Sequence, residues 1–260
     1  MTFTLPDGLP PGRSEPPGSA AIWISNKLPA DIESLWALLL EQQESTGLFP
    51  LLCWPGSPAR SSLAEVDEMR LEPVLAAGFA EYRRQRLPFW SAPAPEEGPE
   101  GVEPWPHDPG PPFENWPGLA PPVAVATDTP SPARAAARTV AHLVNAGGHE
   151  LKDCRLALVP ARRSADLPAL LEWSSEAPVP LVSALLRSWE ERFGTQVVSA
   201  CGNSLHVSVA RPPRNLRDAE LLACEHVLST AASIVDDPPT PFPEYAAELV
   251  GRSDWWFWWD

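Results

Sequence analysis

Three side chains capable of nucleophilic or acid–base chemistry lie in the C-terminal half of the sequence: Cys201, His206 and His226. A thiol and an imidazole within hydrogen-bond reach can act as a nucleophile and its base. Ser204 and His206 are not such a pair, because residues two apart on a strand are separated by ~7 Å. Cys224 and His226 lie two positions apart on one predicted helix, and this spacing does not bring their side chains together. A catalytic site therefore requires Cys201 to approach His226 in the fold, near His206.

His226 has a second interpretation. It falls near the apolar stripe of its predicted helix, which contains Ala219, Leu222 and Ala223. Buried polar groups in proteins are usually hydrogen-bonded. The position is therefore also typical of a core histidine with one ring nitrogen satisfied.

No sequence pattern indicates a metal or a cofactor. His149-Glu150-Leu151-Lys152-Asp153 approximates a zinc-protease motif, but Asp153 stands where the second histidine is required. Gly147-Gly148 just upstream favour a loop rather than the single helical face that zinc ligands need. A nucleophile elbow, a phosphate-binding loop and a dinucleotide fingerprint are absent from the sequence. We expect no cofactor and no metal.

Glu190, Glu191 and Arg192 lie opposite the apolar stripe of another predicted helix. Charged residues in this position typically form the solvated face of an amphipathic helix. The alternative is that Glu190 or Arg192 contacts a ligand or partner over the sheet.

The net charge of the chain is -15, which limits the classes of partner. Such a surface repels nucleic-acid backbones and anionic membranes, so we expect neither as a partner. It attracts a basic protein. The four cysteines form no Cys-x-x-Cys pair, and the first residues do not resemble a signal peptide. These features predict reduced thiols and a cytoplasmic location.

The elements that must position these residues follow from apolar periodicity. In the N-terminal part, residues 20–87, we predict a strand at Ala21–Ser25, a helix from about Asp31 to Gly47 and a strand at Leu48–Trp54. Pro50 predicts an edge or bulge position for that last strand. A further helix begins near Pro73. Residues 1–19 have no periodicity and are predicted to be a disordered tail.

Residues 88–121 form a proline-rich segment that also contains Phe89, Trp90, Trp105, Phe113 and Trp116. Large rings are uncommon in a free linker, so we expect an arm pinned across the protein by its aromatic residues. A flexible linker between two parts is the alternative.

The C-terminal part, residues 122–260, begins with a predicted strand at Val123–Ala126, a helix from Ser131 to Asn145 and a strand at Arg155–Pro160. A helix ending at Gly194 precedes a hairpin that turns at Gly202-Asn203. The chain ends in a strand whose Trp255, Phe257 and Trp259 alternate with Trp256 and Trp258. Both faces are aromatic, so the strand is covered on both sides or one face meets a partner.

This ending, together with the segment Leu185–Gly194 and the hairpin Val197–Val209, resembles a bacterial family known only as domain of unknown function 4253. The resemblance is clearest from Arg155 to Asp260. It implies no activity. The family tends to have a Cys-Pro-Asp-Asn-like segment where this chain has Ala232–Val235, so a site on that segment is not carried over.

The sequence therefore predicts an α+β protein with a mixed β-sheet, helices packed on it and a proline-rich arm between its N-terminal and C-terminal parts. Its function is expected to be noncatalytic protein binding or regulation, of the immunity type, through Glu190, Arg192, Trp256 or Trp258. The alternative is an enzyme of an unrecognised class with a site near Cys201, His206 and His226.

Overall fold

The structure is a computed structural model that describes residues 3–54, 60–93, 106–147, 151, 153–171, 173, 176–235 and 240–260. His149 and Glu150 of the zinc-like pattern, and Trp105 of the arm, lie outside the described residues. The described residues form one mixed β-sheet with helices packed on it, which confirms the predicted α+β fold class. None of the described helices combines the length and hydropathy needed to cross a membrane.

The sheet has seven strands in the order β1-β2-β4-β3-β5-β6-β7. The strands are β1 Gly12–Ser14, β2 Trp23–Ser25, β3 Leu48–Cys53, β4 Arg155–Pro160, β5 Thr195–Cys201, β6 Ser204–Val209 and β7 Asp254–Trp258. Neighbours are antiparallel except β3 and β5, which are parallel. The predicted N-terminal and C-terminal parts therefore contribute strands to one sheet. The segment predicted to be a disordered tail contains β1.

Ten helices are described, and most flank the sheet. They are α1 Ile32–Glu41, α2 Gln43–Thr46, α3 Ala64–Glu68, α4 Leu71–Trp90, α5 Pro132–Ala146, α6 Leu167–Leu170, α7 Val179–Phe193, α8 Leu216–Val227, α9 Ala232–Val235 and α10 Phe242–Leu249. Local signals explain several boundaries. The Ser131 side chain accepts a hydrogen bond from the Arg134 amide at the start of α5. Gly194 ends α7 with φ 61°, a conformation that glycine adopts without steric cost.

The two faces of the sheet carry separate apolar cores. On one face, here called the α7–α8 face, strand residues such as Leu51, Val197 and Phe257 pack under α4, α7, α8 and α10. On the other, the α1–α5 face, Leu52, Leu156 and Val198 pack under α1 and α5. This division decides which side chains can meet.

Strand β3 is not an edge strand, so the position predicted from Pro50 is wrong. β3 lies between β4 and β5. Pro50 is opposite Leu158, whose carbonyl accepts a hydrogen bond from the Ile22 amide on its other side. The Pro50 nitrogen therefore faces away from β4, and β3 pairs with β5 only at Leu52 and Cys53. The missing N–H costs no sheet hydrogen bond at that point.

Val123–Ala126 do not form the predicted strand. They run as extended chain without a place in the sheet, and the Val123 amide donates to the Arg192 carbonyl at the end of α7.

Residues 88–90, predicted to begin the arm, instead belong to α4, which ends at Trp90. The described residues 106–121 of the arm are docked on the α7–α8 side of the molecule. The Asp108 carboxylate accepts hydrogen bonds from Trp90 Nε1 at 3.2 Å and from the Phe242 amide at 2.9 Å. The Trp116 ring lies 6.0 Å from the Phe79 ring. The Arg217 guanidinium stacks 4.6 Å from the centre of the Phe113 ring. These contacts join the arm to α4, α8 and α10.

Candidate functional site

The residues of the predicted enzyme site do not come together. Cys201 belongs to the core of the α1–α5 face. His206 alternates with Leu205 and Val207, which point to the α7–α8 face, so its side chain is on the side of Cys201. His226 packs on the α7–α8 face. The sheet itself separates Cys201 from His226, so this candidate catalytic site is not formed.

Cys201 is in contact with another cysteine. Its Sγ lies 2.6 Å from Cys154 Sγ, and the Ser199 hydroxyl donates to it at 3.3 Å. The hydrogen bond to Cys201 and burial raise the pKa of the Cys154 thiol, while burial raises the pKa of Cys53 to about 12. Reactive cysteines have lowered pKa values and partial exposure. Neither Cys53 nor Cys154 is an activated nucleophile.

His226 is a core histidine, which confirms the second interpretation of that residue. Its Nδ1 lies 2.8 Å from Tyr245 Oη, and its Nε2 has no hydrogen-bond partner among the described residues. The rings of Trp189 and Trp255 lie 4.8 and 4.6 Å from it. Burial, reinforced by the charges of Arg252 and Arg192, lowers the pKa of His226 well below 6.5. The imidazole is therefore neutral at physiological pH.

Arg192 forms a buried ion pair, so it lies neither on a solvated helix face nor on a partner surface. Its side chain is 10% exposed and donates to both carboxylate oxygens of Glu225, at 2.5 and 2.8 Å. It also donates to the Ala120 carbonyl at 2.7 Å, while the Ala120 amide and Trp189 Nε1 each donate to Glu225 at 2.8 Å. The network joins α7 and α8 to the arm.

Glu190 is also engaged within the molecule. Its Oε2 accepts hydrogen bonds from the Ser164 hydroxyl and the Ala165 amide, both at 3.3 Å, at a 3₁₀ turn formed by Ser164–Asp166. Burial raises the pKa of this carboxyl despite those hydrogen bonds. The geometry gives Glu190 a structural role at this turn.

The aromatic residues of β7 are divided by the sheet. Trp255, Phe257 and Trp259 are buried on the α7–α8 face, whereas Trp256 on the opposite face is 39% exposed. The Trp256 ring lies 6.4 Å from that of His206 on the neighbouring strand. Trp258 is half-buried, and its amide donates to the Ser233 hydroxyl at 3.1 Å. The side of β7 that carries Trp256 is therefore partly open to solvent.

A cleft of about 480 Å³ opens beside the same strand. Arg138, Thr139 and His142 of α5 line one wall, and Asp254 of β7 lines the other. Asp254 is two residues before Trp256 and so shares its side of the strand. Trp256, Trp258, His206 and Asp254, with Arg138 and His142 across the cleft, are here called the Trp256 face. It combines an exposed indole, two exposed basic groups and a carboxylate.

The described residues contain no group of three His, Cys, Asp or Glu side chains arranged to hold a metal ion. The period-two alternation of β7 indicates Trp256 and Trp258 from the sequence. No motif marks Glu225, Arg138 or His142. The positive charge of Arg192 is a possible signal for an acidic partner, but only the packing of α8 against α7 identifies that partner as Glu225.

The protein belongs to the α+β class, and its C-terminal part supplies four of the seven strands of one mixed sheet. Residues 155–260 match the family model described as Domain of unknown function (DUF4253). The matched residues are those over which the resemblance of the sequence to this family is clearest. No curated protein and no solved structure matches the chain.

Proposed function

We propose that this chain is a noncatalytic protein-binding or regulatory protein, of the immunity or interaction type, that contacts a basic protein partner through the Trp256 face. The observation that carries the proposal is the partial exposure of Trp256 on a terminal strand, beside an open cleft. The proposal includes a bacterial, cytoplasmic setting, in line with the family resemblance and the reduced state expected for the cysteines.

An exposed tryptophan supports this use of the face. A tryptophan buries a large apolar area and retains an N–H that can be hydrogen-bonded, and tryptophans are enriched among residues that dominate binding energy. The remaining rings of β7 are already buried or half-buried, so Trp256 offers the strand's largest accessible apolar surface. The adjacent cleft provides room for a partner side chain.

The charge of the molecule supports a basic partner. A net charge of -15 attracts cationic proteins and accelerates their encounter. Asp254 supplies a carboxylate at the cleft for a partner lysine or arginine. Arg138 and His142 on the other wall would favour a partner that also carries a carboxylate, which adds orientation to the overall attraction. The alternative of an enzyme centred on Cys201, His206 and His226 has no such support, because these side chains lie on opposite faces of the sheet.

The test compares Trp256→Ala with Phe89→Ala, which removes an exposed aromatic residue from α4 (Phe89 is 69% exposed). Tagged full-length proteins are used to recover partners from a lysate of the source organism, and the dissociation constant is then measured with the purified partner. Loss of a tryptophan anchor should weaken binding by roughly 30-fold, corresponding to ~2 kcal/mol, while Phe89→Ala should bind like the unmodified protein.

Raising the salt concentration should weaken the same complex, because the attraction between exposed charges is screened. Circular dichroism must show that Trp256→Ala is folded. Equal affinity of the two variants, or an affinity that does not respond to salt, would contradict the proposal. Recovery of a protein that binds both variants equally would count as nonspecific capture.

A further inference from the structure

The sheet brings two cysteines together at the end of β3. In the register of the sheet, Cys53 is the last residue of β3 and pairs with Arg155 of β4 on one side and Ala200 of β5 on the other. One position further along, β3 has ended, and Cys154 and Cys201 stand on either side of its continuation. Their side chains are in contact just beyond the end of β3.

The two thiols are in direct contact inside the core of the α1–α5 face. The Sγ atoms are 2.6 Å apart, and the residues are 1% and 2% exposed. A disulfide bond places the sulfur atoms about 2.05 Å apart, roughly half an ångström closer than they are here. The Cys201 thiol also donates to the Leu52 carbonyl at 3.6 Å, which holds its sulfur over the last residues of β3.

The other cysteines are not alternative partners. Cys53 packs in the core of the α7–α8 face, on the opposite side of the sheet, and Cys224 packs on α8 above that same face. The Cys53 thiol is near enough to contribute to the raised pKa of Cys154, but its side chain packs in the core of the other face. The pairing is therefore selective.

We propose that Cys154 and Cys201 are a site of reversible oxidative modification, at which a peroxide converts the two thiols into an intramolecular disulfide. In the first step the sulfur of one cysteine, after losing its proton, attacks a peroxide oxygen. The O–O bond breaks, and for hydrogen peroxide the products are a sulfenic acid and water. In the second step the other sulfur attacks the sulfenic sulfur, the S–O bond breaks, and a second water leaves with the remaining thiol proton.

The hydrogen bond to Cys201 and burial, together with the nearby Cys53 thiol and against the opposing charge of Arg155, determine how this site behaves. The raised pKa of the Cys154 thiol keeps it protonated at neutral pH, and the thiolate is the reacting form. Oxidation is therefore slow at neutral pH and accelerates as pH rises. The immediate proximity of the second sulfur favours closure of the disulfide over further oxidation of the sulfenic acid.

The disulfide would act on the hairpin turn that follows Cys201. The Gly202 carbonyl accepts a hydrogen bond from Trp173 Nε1 at 2.7 Å, and the Asn203 carbonyl accepts one from the Trp259 amide at 3.1 Å. The turn therefore anchors the end of the chain that follows β7. A covalent link from β5 to the start of β4 restrains this turn against separation from the sheet.

The test treats the purified, reduced full-length protein with hydrogen peroxide under native conditions, quenches the reaction and alkylates the remaining thiols in denaturant. Intact mass spectrometry should show two of the four thiols lost with the removal of two hydrogens. Peptide mapping should identify the link between Cys154 and Cys201, and dithiothreitol should restore all thiols. The oxidation rate should rise with pH.

Cys201→Ser should abolish the loss of the thiol pair, whereas Cys53→Ser and Cys224→Ser should retain it. Peptide mapping of the oxidised protein without substitutions does not depend on whether any variant folds. Persistence of all four thiols in the native protein, addition of oxygen without a cross-link, or a link to Cys53 or Cys224 would each overturn the proposal.

Discussion

At the scale of single residues, His226 illustrates how the core controls protonation. One ring nitrogen is hydrogen-bonded to Tyr245, and the rest of the imidazole is enclosed by the rings of Trp189, Trp255 and Phe257. A proton on this ring would have to remain charged without solvent and in the field of Arg252 and Arg192. The native state therefore accommodates only the neutral form of the His226 imidazole.

This environment predicts a dependence of stability on pH. An unfolded histidine has a pKa of about 6.5, and the native pKa of His226 lies well below it, so the unfolded state binds more protons in acid. The contribution of His226 to stability is complete above pH ~6.5 and decreases as pH falls toward the native pKa. The limiting slope is about 1.4 kcal/mol per pH unit.

Chemical denaturation at a series of pH values measures this slope. His226→Gln retains an acceptor for the Tyr245 hydroxyl but does not titrate. The free energy of unfolding of this variant should therefore fall less steeply between pH 6.5 and 5 than that of the original protein. The other histidines are common to both proteins and cancel in the comparison. Parallel pH profiles for the two proteins would refute the assignment.

At the scale of elements, the ion pair between Arg192 of α7 and Glu225 of α8 joins two helices and the arm. Both charges are removed from water, and the carboxylate accepts further hydrogen bonds from Trp189 and Ala120. Removal of one partner from a buried pair leaves an uncompensated charge and costs about 3–5 kcal/mol. The arm loses a hydrogen bond to the same guanidinium.

Arg192→Met should therefore lower the free energy of unfolding by about 3–5 kcal/mol. Arg163→Met is a suitable control, because it breaks an ion pair with Glu191 whose side chains are largely exposed, and such pairs contribute about 1 kcal/mol or less. Urea denaturation measures both values. Limited proteolysis should also cut residues 106–121 of the arm faster in Arg192→Met than in the control. Similar losses of stability in the two variants would show that the pair does not hold these elements together.

At the scale of the whole molecule, the sheet does not coincide with the region that matches the DUF4253 family. That region begins at β4, yet β3 from the N-terminal part lies between β4 and β5. The helix α1 and the helix α4 also contribute to the two cores. The residues before β4 are therefore integral to the packing of the matched region.

A fragment of residues 122–260 should aggregate or remain poorly folded, because it exposes the unpaired sides of β4 and β5 together with the apolar surface that α1 and α4 cover. Size-exclusion chromatography with light scattering measures this outcome. Deletion of residues 1–14 is the matched control. It removes the edge strand β1 and the partly buried Phe3, Leu5 and Leu9 but no central strand, so this protein should stay folded with reduced stability. A soluble, monomeric fragment 122–260 with cooperative unfolding would disprove the dependence.

Local patterns in the sequence determined much of the secondary structure. Ser131-Pro132 and Gly147 bound α5, Gly194 ends α7, and Gly202-Asn203 turn the hairpin of β5 and β6, all near the predicted positions. These signals act over a few residues, through capping hydrogen bonds, restricted backbone angles and apolar periodicity. The α+β class followed from them. The predicted helix that carries His226 ends at Val227, and Thr230 adopts φ 62° between α8 and α9.

The candidate site depends both on local sequence patterns and on tertiary packing. Alternation along β7 already placed Trp256 and Trp258 on the face opposite Trp255, because successive side chains of a strand point to opposite sides. Whether that face is exposed depends on where α5 packs. Likewise, the central position of β3, the Arg192–Glu225 pair, the contact between Cys154 and Cys201 and the separation of Cys201 from His226 join residues far apart in sequence. Such contacts arise from the order of strands in the sheet and from the face on which each helix packs, and no local pattern encodes either.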